Sequence, residues 1–277
     1  MKRLLMLFLG LCACLATLAQ PAYRTVKGVP YRPAEGDPLI DSMCRVDISC
    51  PADADRKLPV VIWFHGGSLT GGNRTLPEAL CEKGFVVVSA DYRLLPAVRV
   101  ENCIEDAAAV AAWTIAHVAE YGGDPSRIFV AGHSAGGYLT SMICLDKRWL
   151  APYGIDPDRA FLALIPYSGQ SITHFARRQE MGLSEKQPLV DELAPLYHVR
   201  PDCPPVLIIS GDRELEMLGR YEENAYFWRM FQIAGHPDVT IEELGGFSHG
   251  AMAAPGHLLA LRYMRARLKQ LDKQKNR

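Results

Sequence analysis

No long block of charge of one sign runs through this 277-residue sequence: 30 basic and 31 acidic side chains are interspersed, and only the end from Arg262 to Arg277 is rich in Lys and Arg. That end reads as a solvated helix end and tail, so nothing points to a nucleic-acid partner. Internal repeats and low-complexity segments are missing as well, which excludes solenoids and fibrous folds. Six cysteines lie beyond residue 19 (Cys44, Cys50, Cys81, Cys103, Cys144 and Cys203), none in a CxxC or metal-ligand spacing. Neither a metal nor another cofactor is therefore expected. Cys44 and Cys50 fall on one predicted strand and cannot pair with each other, and buried free thiols are the expectation for most of the six.

The longest apolar run, Leu4 to Leu18, falls short of the roughly 20 residues a membrane span needs. It follows Lys2-Arg3 and is closed by Thr17-Leu18-Ala19, the layout of a secretory signal peptide with cleavage after Ala19. The competing reading is a lipoprotein carrying a lipid on Cys14. A secreted or periplasmic protein, with no stable membrane insertion after cleavage, is expected. Loss of Lys2 and Arg3 takes the 30 basic side chains to 28 against 31 acidic ones, a net charge of −3.

What the sequence has in abundance is short apolar runs alternating with helical stretches, over residues 20–277 as one domain. Residues 43–49 alternate in the manner of a half-exposed strand. Pro59–Phe64 and Phe85–Ser89 are continuous runs with no alternation, as strands buried on both faces require. Further runs stand at 128–131, 161–165, 206–209 and 239–244. Helices are predicted over 101–121, ending at Gly122-Gly123, and over 135–146, 218–234 and 251–270. The irregular stretch 170–199 is a candidate small lid, with a plain surface excursion as the alternative.

The run Phe129-Val130-Ala131 delivers Gly132-His133-Ser134-Ala135-Gly136-Gly137, a Gly-x-Ser-x-Gly placed after a strand and before a helix. A turn that tight demands flanking positions without a β-carbon, and it pushes Ser134 into the open as a nucleophile. Acyl transfer also needs a base, an acid to orient the base, and donors for the oxyanion. His249, in Gly245-Gly246-Phe247-Ser248-His249-Gly250 after the last strand, is the expected base. His257, inside a helix, and His236, beside Pro237, are less well placed. Three acids compete beyond the 206–209 strand, and Glu214 is preferred over Asp212 and then Glu216. Glycines after the 59–64 strand leave the N–H groups of Gly66 and Gly67 open to the developing charge, with Ala135 as the other donor. His65 is read as an anchor of that loop.

Taken together, these motifs resemble the α/β-hydrolases of the esterase/lipase superfamily. They lie near the hormone-sensitive-lipase-like carboxylesterases and the group that includes feruloyl and acetyl-xylan esterases and arylformamidases. The resemblance spans nearly all of residues 40–270 and rests on His65-Gly66-Gly67, Asp91-Tyr92-Arg93-Leu94, Gly122-Gly123-Asp124-Pro125, Gly132 to Gly137, Ser210-Gly211-Asp212 and His249. Two positions depart from it. Ser68 stands where a third glycine is usual, and Glu214 where an aspartate is. The resemblance implies an α/β-hydrolase fold, a predominantly parallel sheet flanked by helices on both faces, with Asp91, Arg93 and Asp124 in structural networks. It implies a serine esterase acting on short-chain or aromatic acyl esters, including those of glycans. The alternatives are an arylformamidase, amidase or peptidase-like hydrolase, and a non-catalytic binding protein on the same fold.

Overall fold

Each run read above as a strand, from residue 43 onward, becomes a strand of one eight-stranded sheet in the computed structural model, which describes residues 22–34 and 36–275. The expected signal segment, its cleavage after Ala19 and the alternative at Cys14 lie outside the described residues. The chain order is β1 (Tyr23–Pro30), α1 (Pro38–Met43), β2 (Arg45–Pro51), β3 (Leu58–Phe64), β4 (Val86–Ala90), α2 (Val100–His117), β5 (Gly123–His133) and α3 (Ala135–Leu145). It continues with α4 (Pro157–Ala160), β6 (Phe161–Tyr167), α5 (Phe175–Glu180), β7 (Val206–Gly211), α6 (Arg220–Ile233), β8 (Val239–Leu244) and α7 (Ala253–Lys275).

The strands lie in the order β1-β2-β4-β3-β5-β6-β7-β8. β2 runs antiparallel to both β1 and β4, and every pair from β4 to β8 is parallel. Parallel neighbours need long crossovers, and helices supply them on both faces. On β3, Val60, Ile62 and Phe64 pack into a cluster with Ile104 and Ala108 of α2 and Leu139 and Met142 of α3. Val61 and Trp63 face the other way, into a cluster with Leu261 and Met264 of α7. Successive side chains point to opposite faces, so a strand covered on both has to be apolar throughout.

Differences from the sequence reading have simple causes. β1 has no continuous apolar run and exposes several of its residues; its place comes from the ladder it makes with β2. The helix expected over 101–121 stops at His117 and tightens to a 3₁₀ turn through Tyr121, capped by Gly122 at φ 74°. Residues 170–199 carry α5 and are fastened to the body, for Ala176, Leu193 and Ala194 are buried and the Tyr138 hydroxyl donates to the Leu193 carbonyl at 2.8 Å. All six described cysteines are free thiols, five of them buried. Burial pushes the Cys44 thiol up to about 11 and that of Cys203 to about 12, which keeps them protonated at neutral pH.

Candidate active site

Ser134 sits between β5 and α3 with φ 55° and ψ −115°, a conformation a non-glycine residue adopts at a cost of about 1–3 kcal/mol. Two hydrogen bonds hold it there: its N–H donates to the Tyr167 carbonyl at 2.8 Å, and its own carbonyl accepts from Tyr138 N–H at 3.0 Å. The steric demand on its neighbours is severe. A β-carbon on Gly132 would lie 2.4 Å from the Gly136 carbonyl oxygen, and one on Gly136 would lie 2.0 Å from that of Phe64. Both contacts are with backbone, so no rotamer change relieves them.

His249 comes from the loop after β8, and the carboxylate against it belongs to Glu216. The His249 Nδ1–H donates to Glu216 Oε2 at 2.8 Å. This corrects the sequence reading. Glu214 is exposed, and its N–H donates to Asp212 Oδ1 at 2.9 Å. Asp212 itself accepts from the Gly246 N–H at 2.6 Å and donates its own N–H to the Phe247 carbonyl at 2.8 Å, tying the histidine loop to the end of β7. The reason lies in a single helical turn: Leu215 and Glu216 N–H groups bond back to the Asp212 carbonyl. At about 100° per residue, positions 212 and 216 share the face turned to the histidine loop, and 214 lies opposite.

Glu216 is well supplied with donors. Oε1 accepts from Ser168 Oγ at 2.6 Å and from Gly211 N–H at 3.1 Å, and Oε2 from His249 and from Met217 N–H at 3.1 Å. Burial pushes this carboxyl up, but the hydrogen bonds from His249, Ser168 and Gly211 outweigh it and hold the group at about 2. Ser168 and Arg220 are the residues that sequence reasoning missed. The available signal was position: Ser168 directly follows β6, the strand between the one that presents Ser134 and the one that leads to Glu216.

Beside the elbow, a β-carbon on Gly66 would stand 3.2 Å from the Ser134 β-carbon, so the β3–β4 loop and the elbow are in contact. Gly67 has φ 116°, and its carbonyl accepts from Thr70 and Gly71 N–H, each at 2.9 Å, curling the loop back. Among the described residues no backbone acceptor takes the N–H of Gly66, Gly67 or Ala135. These are the three groups named as oxyanion donors, and Ala135 also opens a helix, whose N-terminus favours negative charge. His65 anchors the loop: its ring stacks on Tyr92 at 4.4 Å, and the Tyr92 hydroxyl donates to the His65 carbonyl at 2.9 Å.

The remaining polar residues of the motifs are engaged in the scaffold. Asp91 accepts from Arg74 N–H at 2.6 Å and is ion-paired to the same side chain. Arg93 forms a buried fork with Asp106 at 2.8 and 2.9 Å, and Asp124 caps Ser126 N–H at 2.9 Å. His236 bonds the Cys203 carbonyl at 3.0 Å, and His257 is buried against Trp63 with ring centroids 5.0 Å apart. No group of three or more metal-ligating side chains stands together among the described residues. The segments that carry Glu216 and His249 also expose the apolar side chains Leu215, Met217, Leu218 and Phe247.

Two further histidines make stability depend on pH. His133 donates its Nε2–H to the His249 carbonyl at 2.8 Å. Burial and the neighbouring His249 lower His133 to about 4, and burial lowers His257 to about 4. Between roughly pH 6.5 and 4 the unfolded chain binds a proton on each that the folded chain refuses, so stability is full above this window and lost as pH falls through it. The expected slope reaches about 1.4 kcal/mol per pH unit for each histidine. Urea unfolding followed at pH 7, 6, 5 and 4.5 measures it; a flat unfolding free energy across that range refutes the assignment.

A family model described as BD-FAE matches residues 46–150. Esterase LipQ of Mycobacterium tuberculosis is 27% identical over 241 residues, covering 80% of this chain and 56% of its own length. The probable carboxylic ester hydrolase LipM of the same organism is 28% identical over 208 residues, covering 66% of this chain and 47% of its own. The chain thus spans about half the length of these relatives. Among solved structures, Esterase B from Lactobacillus rhamnosis superposes with a TM-score of 0.74 at 21% identity, covering 92% of this chain and 90% of that one. A truncated carbohydrate esterase from gut microbiota superposes with a TM-score of 0.72 at 19% identity, covering 90% and 99%.

Proposed function

We propose, from the premise that this chain belongs to the α/β-hydrolase superfamily, that it hydrolyses carboxylic esters through an acyl-enzyme on Ser134. The observation that carries the reading is the 2.8 Å contact of His249 with Glu216, made beside a serine held in a strained elbow. With Nδ1–H committed to Glu216, the Nε2 lone pair of His249 is the one left to take the Ser134 proton. The Ser134 oxygen then bonds to the ester carbon, and the N–H groups of Gly66, Gly67 and Ala135 receive the negative oxygen. Collapse breaks the bond to the alcohol, which leaves with the proton from His249. Water, deprotonated by the same histidine, releases the acid and restores Ser134. The chain's own groups suffice for each of these steps.

Leu215, Met217, Leu218 and Phe247, exposed apolar side chains in the segments that carry Glu216 and His249, support short-chain or aromatic acyl esters as substrates. Similarity in fold to a carbohydrate esterase supports esters carried by glycans among them. Export follows from Lys2-Arg3 and the apolar run to Leu18, and we place the mature protein outside the cytoplasm with no stable membrane insertion. Among the described residues no helix is long and apolar enough to cross a membrane.

The test is covalent labelling followed by a substrate panel. A fluorophosphonate is expected to add once per chain, with the adduct mapped by peptide mass spectrometry to Ser134. p-Nitrophenyl acetate, p-nitrophenyl butyrate and methyl ferulate are expected to turn over, and N-formylkynurenine and dipeptide amides to turn over more slowly. No adduct on Ser134, or faster turnover of the formamide than of every ester, overturns the proposal.

A further inference from the structure

We infer that Ser168 is a positioning residue of this site, fixing the Glu216 carboxylate and sharing the His249 Nδ1–H, an inference that rests on the reading of Ser134 and His249 given above. Ser168 is fully buried, and its hydroxyl lies 2.6 Å from Glu216 Oε1 and 3.0 Å from His249 Nδ1. A hydroxyl has one proton and two acceptor sites. The carboxylate cannot donate, so the Ser168 proton goes to Glu216, and a lone pair of the same oxygen is left for the His249 Nδ1–H. That N–H therefore faces two acceptors, Glu216 Oε2 at 2.8 Å and Ser168 Oγ. When His249 takes up the proton from Ser134, both acceptors face the new positive charge, and neither has to reorient to do so.

The backbone around Ser168 is built to keep that oxygen in place. Its φ is 46°, in the left-handed region where glycine would be freer. Its N–H donates to the Ile209 carbonyl at 2.7 Å, and its carbonyl accepts from the buried Arg220 Nη1 at 2.6 Å. One residue on, the Gly169 carbonyl accepts from Asn224 Nδ2 at 3.0 Å. A strained serine fastened from β7 and from two residues of α6 is hard to explain by packing alone, because glycine would meet the backbone requirement at lower cost. The charged and titratable groups around it are Glu216 from the turn after β7, Arg220 and Glu223 from α6, His133 from the end of β5 and His249 from the loop after β8.

Two variants test this in the full chain. Ser168→Ala removes the hydroxyl and keeps the strain; Ser168→Gly removes both. Each is expected to lower kcat for p-nitrophenyl butyrate about 10- to 100-fold, the loss expected for a hydrogen bond to a charged group, with KM within about twofold of the parent. Fluorophosphonate labelling should slow in parallel, and the low-field proton resonance of His249 Nδ1–H should move. Parent-like kcat and an unmoved resonance in either folded variant overturn the inference. So does recovery of kcat in Ser168→Gly alone, because the hydroxyl is missing there as well. Failure of the underlying reading looks different, because the parent protein itself would then take no label on Ser134.

Discussion

Ser134→Ala lowers kcat for p-nitrophenyl butyrate by about 10⁴- to 10⁶-fold, the span expected when the nucleophile of a concerted machine is removed. KM should change little, because the hydroxyl contributes to bond making and scarcely to ground-state binding. Alanine meets the same backbone penalty as serine at φ 55°, so the midpoint of thermal unfolding should stay within about 2 °C of the parent. A residual rate above the uncatalysed one is expected from the N–H groups of Gly66, Gly67 and Ala135. Initial rates on freshly purified variant, with contaminating parent bounded by active-site titration, measure the loss. A variant that retains more than a tenth of the parent kcat removes Ser134 from the reaction.

The second large effect separates two neighbouring acids. Glu216→Gln is expected to cost about 10³- to 10⁴-fold in kcat, and Glu214→Gln less than twofold. The difference follows from donors and acceptors. The Glu216 carboxylate accepts four hydrogen bonds, two on each oxygen. An amide has one oxygen, so it leaves either Ser168 and Gly211 or His249 and Met217 facing another donor. If the amide nitrogen faces His249, the imidazole is driven to the tautomer with its proton on Nε2, where it cannot act as a base. Glu214 is exposed, and among the described residues no hydrogen bond joins its side chain to His249. Parallel kinetics on the two variants decide the matter, and equal losses in both would refute the assignment of Glu216.

Acid lability of Glu216 works in the same direction as that of the histidines. With the folded carboxyl held at about 2, its contribution to stability is full above the unfolded value near 4.5 and disappears as pH falls through the folded one. This window opens as that of His133 and His257 closes, so stability should go on falling below pH 4, with a slope of up to about 1.4 kcal/mol per pH unit in place of the two histidines' combined slope, and the fall should be shallower in Glu216→Gln.

How much of this was legible beforehand varies from element to element. β3 and β4 could be read from their apolar runs because burial on both faces removes the polar alternation of a half-exposed strand, leaving only Ser89, whose hydroxyl donates to the Thr75 carbonyl. β1 could not, because an edge strand has no such constraint and takes its register from β2. Ser134 was legible from Gly132 and Gly136, since the clash that forbids a β-carbon there comes from backbone within a few residues and from the end of β3. His249 was legible from its place after the last strand in a glycine-rich loop.

The sequence by itself determined the alternation of buried strands and helices, the nucleophile elbow and the order of serine, acid and histidine along the chain. These depend on local sterics and on periodicity, which neighbouring residues carry. Only the tertiary structure decided that Glu216 and not Glu214 meets His249, and that Ser168 and Arg220 belong beside them. Those contacts join β6, the turn after β7, α6 and the loop after β8, separated by up to 81 residues between Ser168 and His249. No local pattern encodes which face of the Asp212–Glu216 turn meets a loop some thirty residues on; the packing of β7 against β8 sets it.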